Sequence, residues 1–226
     1  MLPTLNESGA IGTLIGRITA DYPGAEIVVV DDGSTDRTLS IVRQWVRKSK
    51  KIRIVDRKRF GLKKGLAASV IEGILDSRTK FVIAMDADMQ HPPEVIAKMA
   101  AMLRNRSVVV VATRATVEGW ALHRKIISKV LIWIGYLVLA VRGSETCPDI
   151  FSGYFGVDRK LFANTYRQNR SRFVLEGYKV LFDFLKCMKR GTVKLDTVPF
   201  DFQTRKTGRS KAGMAQALAL LRSFLT

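Results

Sequence analysis

The chain has 226 residues, of which 47% are hydrophobic, and its 38 Lys and Arg outnumber 20 Asp and Glu to give a net charge of +18. This length and apolar content suffice for a folded α/β domain and exclude a disordered chain. The charge predicts a polyanionic partner: a nucleic acid, an anionic membrane surface or a phosphate-rich substrate. Two cysteines, Cys147 and Cys187, are too few for a disulfide framework and favour a reducing compartment.

Neither the start of the chain nor its apolar runs suggest a targeting or spanning segment. Residues 1–4 lack the apolar core of a signal peptide. The longest uncharged apolar run, at 130–141, is far shorter than the roughly 20 residues that a spanning helix needs. This run predicts either a core helix beneath a sheet or a helix that lies in the membrane interface.

The first half of the chain alternates between strand and helix patterns. β-branched runs predict strands, and apolar residues at helical spacing predict helices. In chain order, these elements are a strand at 26–30, a helix at 36–48, a strand at 52–55, a helix at 65–75, a strand at 81–85, a helix opening at 92–93 and a strand at 108–111. The alternation predicts a mostly parallel, Rossmann-like sheet with helices on both faces.

The second half is less regular. Its predicted elements are a helix at 122–141, a helix at 173–188, a strand at 193–202, a basic loop at 205–211 and a final helix at 212–225. The chain contains no internal repeat and no low-complexity linker, so we predict a single domain over residues 1–226.

Two acidic clusters follow predicted strands, where open α/β sheets bind ligands. In DDGSTD at 31–36, Ser34 or Asp36 could cap the next helix, and a neighbouring carboxylate could accept hydrogen bonds from a ribose or a base. In DADMQH at 86–91, the acids could also cap a helix. Two carboxylates so close together repel each other unless a cation neutralises them, and Mg²⁺ prefers oxygen ligands of this kind. We interpret His91 as a positioning residue, because its nitrogen suits such a site poorly.

The segment 43–64 contains eleven Lys or Arg and one acid. A charge run of this kind is usually a solvated face. A nucleic-acid patch is the alternative, but the segment has few interleaved aromatic residues. Carboxylates at the ligand edge of the sheet would also repel a phosphate backbone, so we expect no nucleic-acid partner.

Seven sequence motifs carry a resemblance to a known family. They are PTLNE at 3–7, DDGSTD at 31–36, GLAA at 65–68, MDADMQHPPE at 85–94, RKIISK at 124–129, FSGYF at 151–155 and GRSK at 208–211. In this order they resemble the family-two glycosyltransferases of the GT-A fold. Within that family, MDADMQHPPE is similar to the polyprenyl-phosphate mannosyltransferases. Relative to that family, an apolar first strand before Pro3 is missing here.

The resemblance implies roles for particular residues. Pro3, Glu7 and Asp32 would hold the nucleoside of a nucleotide sugar, with Asp86, Arg205 and Lys211 near its phosphates. Mg²⁺ or Mn²⁺ would be the cofactor. The implied metal ligands are Asp86, Asp88 and Gln90, and the implied acceptor-phosphate residues are Arg114, Arg124 and Ser128. Asp88, Arg114 and Arg124 would be catalytic. A mobile loop carrying Arg205, Ser210 and Lys211 would close over the phosphates.

The resemblance also implies an activity and a location. The expected reaction is inverting transfer of a hexose, mannose from GDP-mannose, to a polyprenyl or dolichyl phosphate. Transfer of glucose or another sugar to that or another glycan acceptor is the alternative, and a non-catalytic nucleic-acid-binding protein is a weaker one. We expect the helix at 122–141 to lie peripherally on the cytoplasmic face of an anionic membrane, with a membrane-anchoring subunit as a possible partner.

Overall fold

Strands and helices alternate along the part of the chain that the computed structural model describes, which comprises residues 1–59, 61, 65–105, 107–117, 122–202 and 214–226. The strands are β1 (Leu2–Thr4), β2 (Ile27–Asp31), β3 (Ile52–Asp56), β4 (Phe81–Ala84), β5 (Val109–Val117), β6 (Phe155–Asp158) and β7 (Leu195–Phe202). The helices are α1 (Ile11–Asp21), α2 (Thr38–Lys48), α3 (Leu66–Asp76), α4 (Val95–Arg104), α5 (Leu122–Val141), α6 (Arg159–Gln168), α7 (Val180–Leu185) and α8 (Met214–Leu225).

The strands form a three-stranded group, β1-β2-β3, and a four-stranded group, β4-β6-β5-β7. Hydrogen bonds from Met1 to β4 join the two groups: its amino group donates to the carbonyl of Ile83 (2.6 Å), and its carbonyl accepts from the N–H of Met85 (3.2 Å). Pairing is parallel within the first group and between β5 and β7, whereas β6 is antiparallel to both of its neighbours. The sheet is therefore mostly parallel.

Helices cover both faces of the sheet. Side chains of α1, α2 and α4, such as Leu14, Val42 and Met99, are buried against one face. On the other face, Ile74 of α3, Phe162 of α6 and Phe182 of α7 are among the residues that form a second core. Because Val28, Val29 and Val30 of β2 alternate between the two cores, one uninterrupted apolar strand serves both. The predicted α/β architecture is confirmed.

The first strand, which the sequence analysis expected to be missing, is present in part. Leu2–Thr4 forms a short strand, in which Pro3 lies opposite Val30. The motif PTLNE thus begins inside the strand rather than after it. The expectation that this strand is missing is corrected to a strand that is present but short.

The predicted helix at 173–188 is wrong over its first part, because α7 begins only at Val180. The preceding loop turns towards α3, where the carbonyls of Gly177 and Leu175 accept hydrogen bonds from the N–H groups of Ala67 (2.9 Å) and Ala68 (3.1 Å). These carbonyls satisfy donors at the start of α3, which have no partner within their own helix. The loop conformation therefore caps another helix.

Helix α5 has the predicted bounds, and from Val130 to Val141 both its inner and its outer side carry apolar side chains. Leu139 and Gly135 lie against the core, where a side chain at position 135 would meet Ile150. The opposite face exposes apolar side chains, with Trp133 75% exposed. A fully buried core helix is therefore excluded. In the part of the chain that the structure describes, no helix meets the length and hydropathy that crossing a membrane requires.

Candidate active site

Polar residues gather at the carboxyl ends of β1, β2, β4 and β5. The loop after β1 is bound to the loop after β2: the side-chain oxygen of Asn6 accepts from the N–H of Thr35 (2.8 Å), and the N–H of Glu7 donates to the hydroxyl of Thr38 (2.8 Å). Asn6 adopts a left-handed backbone conformation (φ 54°), which asparagine tolerates better than most residues. Glu7 is thereby fixed beside the second loop.

Asp31 organises the turn after β2. Its carboxylate accepts hydrogen bonds from the N–H groups of Gly33 (3.0 Å) and Ser34 (2.8 Å) and from the hydroxyl of Thr4 (3.1 Å). All three donors are buried or nearly so, and Asp31 itself is buried. This acid therefore has a structural role.

Asp36 closes the start of α2. Its carboxylate accepts from the N–H of Thr38 (2.9 Å) and from that of Ser8 (3.2 Å). Although partial burial raises it, these and the Thr38 hydroxyl hydrogen bond lower the pKa of Asp36 to about 2. Asp36 thus bonds the first N–H of α2 from the residue before its N-cap, Arg37, which has no side-chain cap of its own, whereas Ser34 donates to Asp31.

Asp32 is buried and carries an ion pair that the sequence did not predict. One carboxylate oxygen lies against the guanidinium of Arg57, and the other accepts from the N–H of Gly65 (2.9 Å). Arg57 also donates to Glu72 (2.7 Å). A carboxylate has about four acceptor sites, so Asp32 retains capacity for a ligand hydroxyl. Within the basic segment, the solvated-face interpretation is wrong for Arg57, which is 4% exposed.

The two acids of the second cluster occupy different environments. Asp88 is buried and accepts from the N–H of Gln90 (3.0 Å), in a turn whose central residue, Met89, has a positive φ of 66°. Asp86 has a side chain that is 39% exposed and lines a cavity. Carboxylate and amide oxygens are the ligands that Mg²⁺ and Mn²⁺ prefer, so this donor set fits a hard divalent cation.

His91 lies behind Asp86. Its Nδ1 accepts a hydrogen bond from the N–H of Asp86 (3.0 Å), and its Nε2 is 3.7 Å from the Asp86 carboxylate. The ring stacks on Tyr154, with centroids 4.9 Å apart, and burial lowers the pKa of His91. A neutral imidazole with these contacts orients Asp86, in agreement with a positioning role.

The FSGYF motif forms the wall behind this cluster. The hydroxyl of Tyr154 donates to the carbonyl of Pro92 (3.0 Å), and the hydroxyl of Ser152 donates to that of Ala112 (2.7 Å). A Cβ on Gly153 would lie 3.4 Å from both carboxylate oxygens of Asp86. The glycine therefore leaves room beside the exposed acid.

The cavity that contains Asp86 has a volume of about 290 Å³ and a cationic side. Arg114 on β5 makes two hydrogen bonds to Asp149 (2.8 and 2.9 Å). Lys179 donates to the carbonyl of Phe151 (2.9 Å), and burial lowers its pKa to about 8. Ser128 of α5 also lines the cavity. Lys179 and Asp149 were not predicted, because neither belongs to a charge pattern in the sequence.

The structure brings together many of the predicted site residues. Asp86, Arg114 and Ser128 line one cavity, and Arg124 lies in α5 one turn before Ser128. Pro3 lies in β1, Glu7 in the loop after β1 and Asp32 in the loop after β2, at the same edge of the sheet. The predicted phosphate loop, with Arg205, Ser210 and Lys211, lies outside the described residues.

The doubly covered sheet with acids and cations at its carboxyl edge defines the GT-A class of fold. Glucosyl-3-phosphoglycerate synthase from Mycobacterium tuberculosis, solved with Mn²⁺, UDP-glucose and phosphoglyceric acid, has this fold at a TM-score of 0.66 and 19% identity, with 99% of this chain and 78% of that chain covered. Mannosyl-3-phosphoglycerate synthase from Rubrobacter xylanophilus has a TM-score of 0.59 at 17% identity, covering 99% and 71% of the two chains.

Sequence comparison gives the family. Residues 1–165 match the model of glycosyl transferase family 2, and the chain belongs to that family. It is 34% identical over 217 residues to a dolichol-phosphate mannosyltransferase of Pyrococcus furiosus (93% of this chain, 58% of the relative) and 30% identical over 226 residues to one of Mycosarcoma maydis (93% and 72%). The chain thus spans somewhat over half the length of the Pyrococcus relative. The resemblance seen in the motifs is confirmed.

Proposed function

We propose that this glycosyltransferase moves mannose from GDP-mannose to a polyprenyl or dolichyl phosphate, with inversion, at the cytoplasmic face of a membrane. One observation carries the proposal: a single cavity joins an exposed acid of the metal-type pair, Asp86, to two cations, Arg114 and Lys179. Such a cavity suits two phosphate groups, one bound through a metal and one bound directly. The relatives named dolichol-phosphate mannosyltransferases support this choice of acceptor and sugar.

The acid cluster is the proposed metal site. Asp86, Asp88 and Gln90 would hold Mg²⁺ or Mn²⁺, and the Mn²⁺ in the Mycobacterium tuberculosis relative supports a divalent cation. When bound, such a cation stabilises negative charge on a departing diphosphate. His91 keeps Asp86 oriented, and Gly153 leaves space in front of it.

The cations of the cavity are proposed to hold the acceptor phosphate. A phosphate monoester has a second pKa near 6, so it is largely a dianion at pH 7 and needs no general base to become a nucleophile. Catalysis then consists of alignment and charge compensation. Arg114 is held in place by Asp149, and Lys179 by the carbonyl of Phe151. A single displacement by the acceptor oxygen at the anomeric carbon inverts its configuration.

The lipid tail is proposed to leave the cavity along α5 and α8. Ile127 and Leu131 of α5 and Leu220 of α8 line the cavity wall. Apolar side chains are exposed on both helices, starting with Ile127 of the cavity wall: Ile127, Val130, Trp133, Ile134, Leu137 and Val141 on α5, and Leu218, Leu221 and Leu225 on α8. A surface of this kind marks a membrane or protein interaction site. Membrane docking through this surface would place the acceptor phosphate beside Ser128. The membrane-anchoring subunit stays a prediction.

The donor and acceptor are tested together in one assay. Protein is incubated with polyprenyl phosphate, Mg²⁺ or Mn²⁺ and a panel of labelled nucleotide sugars, and label in the lipid phase is measured. We expect mannose from GDP-mannose to enter the lipid. Label from UDP-glucose alone would assign a different sugar to the same reaction. No lipid label, together with tight and salt-dependent nucleic-acid binding, would overturn the proposal.

A further inference from the structure

The GLAA motif at residues 65–68 forms the start of α3, against which the loop at 174–179 packs. Gly65 is in direct backbone contact with this loop. A Cβ at this position would overlap the carbonyl oxygen of Leu175 and would lie 3.1 Å from the Cα of Glu176. Because both contacts are made by main-chain atoms, any larger residue would have to displace one of the two backbones. The glycine is therefore needed for this close approach.

The same glycine is fixed on its other side by the loop after β2. Its N–H donates to the carboxylate of Asp32 (2.9 Å), and its carbonyl accepts from the N–H of Ser69, one turn later in α3 (3.0 Å). Asp32 is itself held by its ion pair with Arg57. If Gly65 moved away from Leu175, it would break hydrogen bonds on the side of the site that is proposed for the nucleoside. A clash at Gly65 is therefore relieved more easily by movement of the other loop.

That loop is too compact to absorb a displacement of Leu175. The N–H of Gly177 donates to the carbonyl of Val174 (3.0 Å), which closes a four-residue turn. The N–H of Val174 in turn donates to the buried carboxylate of Asp183 in α7 (3.0 Å). The turn ends only two residues before Lys179, the residue that precedes α7. A shift of the turn therefore moves the backbone of this lysine.

Lys179 brings these contacts into the cavity, which it lines together with Tyr178. Its ammonium donates to the carbonyl of Phe151 (2.9 Å) and lies 4.3 Å from the centroid of the Tyr178 ring. A lysine ammonium has three N–H donors, so it can hold the Phe151 carbonyl and still donate to a phosphate oxygen. Whether it reaches such an oxygen depends on where the preceding turn places its backbone.

We propose that Gly65 is a positioning residue that acts through the turn at 174–177. By admitting this turn against α3, it sets the place of Lys179 in the cavity and thereby the binding of the acceptor phosphate. This role rests on the proposed function, because Lys179 is there a ligand of that phosphate. The GLAA motif thus links two parts of the site: the glycine that holds Asp32 on the nucleoside side also places the lysine on the acceptor side.

The titration of Lys179 tests the positioning without any substrate. Acetylation of this residue by acetic anhydride is measured by mass spectrometry over a range of pH. In Gly65→Ala the midpoint should rise by about one pH unit or more, because a displaced amine is hydrated and burial no longer disfavours its charge. Gly24→Ala is the control, since a Cβ at Gly24 would meet no described residue within 4 Å. The same midpoint in folded Gly65→Ala and in the wild type would overturn the proposal.

A second variant in the same turn covers the case in which Gly65→Ala does not fold. A Cβ on Gly177 would lie 2.9 Å from the carbonyl oxygen of Val174, so Gly177→Ala crowds the turn from within. It should shift the titration of Lys179 in the same direction. An unchanged midpoint in this variant would show that the turn does not place the lysine.

A double-mutant cycle shows whether Gly65 acts on the acceptor through Lys179. The probe is farnesyl phosphate, a short polyprenyl phosphate, and its binding is measured by calorimetry. Gly65→Ala should weaken binding about tenfold in the wild-type background but little in Lys179→Met, because residues that act through one another are not additive. Equal weakening in both backgrounds would contradict the proposal. Failure of farnesyl phosphate to bind the wild type would instead overturn the proposed acceptor, while the titration still decides whether Gly65 positions Lys179.

Discussion

Arg57 and Asp32 show how a charged residue in a basic run becomes part of the site. Arg57 follows β3, and its N–H donates to the carbonyl of Asp31 (3.0 Å). Its guanidinium contacts Asp32 and Glu72. Removing one partner of a buried pair leaves the other charge uncompensated, which usually costs more than the pair contributes.

We therefore predict that Arg57→Met lowers the free energy of unfolding by about 3 kcal/mol, because Asp32 is left buried without its cation. The same change should weaken nucleoside-diphosphate binding, since Asp32 is then free to reorient. Chemical denaturation and calorimetry measure the two effects. Arg43→Met, at an exposed position of the same basic segment, is the control. Equal stabilities of the two variants would refute a structural role for the buried pair.

The protonation of Lys179 gives the reaction a predicted pH limit. Burial lowers its pKa to about 8, so the side chain is a cation below pH 8 and loses its charge as the pH rises through that value. The acceptor becomes a dianion above its own pKa of about 6. In the wild type, kcat/KM for polyprenyl phosphate should therefore rise through pH 6 and fall above pH 8.

Lys179→Arg should remove the alkaline fall, because a guanidinium stays charged in this range. Lys179→Met should lower kcat/KM at every pH. The pH profiles of the three proteins provide the measurement. An alkaline fall that persists unchanged in Lys179→Arg would assign it to another group.

Helix α5 links the active site to the proposed membrane surface. Its inner side packs on the core, and the hydroxyl of Tyr136 donates to the carbonyls of Cys147 (3.0 Å) and Pro148 (2.9 Å). Trp133 instead points outward. Of the two aromatic residues of α5, Trp133 is therefore the exposed one.

We predict that the protein binds anionic liposomes at low salt and dissociates as salt is added, because the Debye length falls with ionic strength. Trp133→Glu should weaken this binding strongly without loss of the fold, since the side chain has few contacts to lose. Thr19→Glu, on a different helix, is the control. Co-sedimentation measures the bound fraction. Wild-type protein that remains in the supernatant at low salt would exclude this docking surface.

At the same scale, periodicity alone predicted some elements and missed others. β2 and α5 were predictable because a β-branched run and a long apolar helix are local signals. Helix α1 was not, since it contains Gly12 and Gly16, which lower helix propensity. A Cβ on Gly16 would lie 3.4 Å from the ring of Trp45 in α2. Close packing of two helices explains these glycines, and that contact is not visible in either segment alone.

The residues of the candidate site could likewise be predicted from the sequence only in part. The motifs identified the acids, because paired carboxylates after strands have a recognisable spacing. The partners that set their environments, Arg57 for Asp32 and Asp149 for Arg114, are distant in sequence. Lys179 belongs to a segment whose apolar residues predicted a helix. In the structure it ends a loop that is held in place by hydrogen bonds to the start of α3. Pairings of this kind arise only when the chain is folded.

At the scale of the whole molecule, the net charge of +18 suits the proposed reaction, because the nucleotide sugar, the polyprenyl phosphate and the membrane surface are all anionic. Basic residues near such a surface each contribute about 1 kcal/mol to binding. Much of the basic segment is exposed, including Arg43, Arg47 and Lys50. We therefore propose that this charge favours encounter with an anionic membrane and that the cavity selects the phosphate that reacts.

Transfer of labelled mannose from GDP-mannose to polyprenyl phosphate, with and without divalent cations, tests this proposal most directly. With Mg²⁺ or Mn²⁺ we predict label in the lipid phase, background after EDTA, and recovery when metal is restored. Asp86→Asn and Asp88→Asn should be inactive but folded, because each keeps the size of the side chain and loses its charge. Wild-type rates that persist in EDTA, or full activity in either variant, would contradict the metal-dependent mechanism.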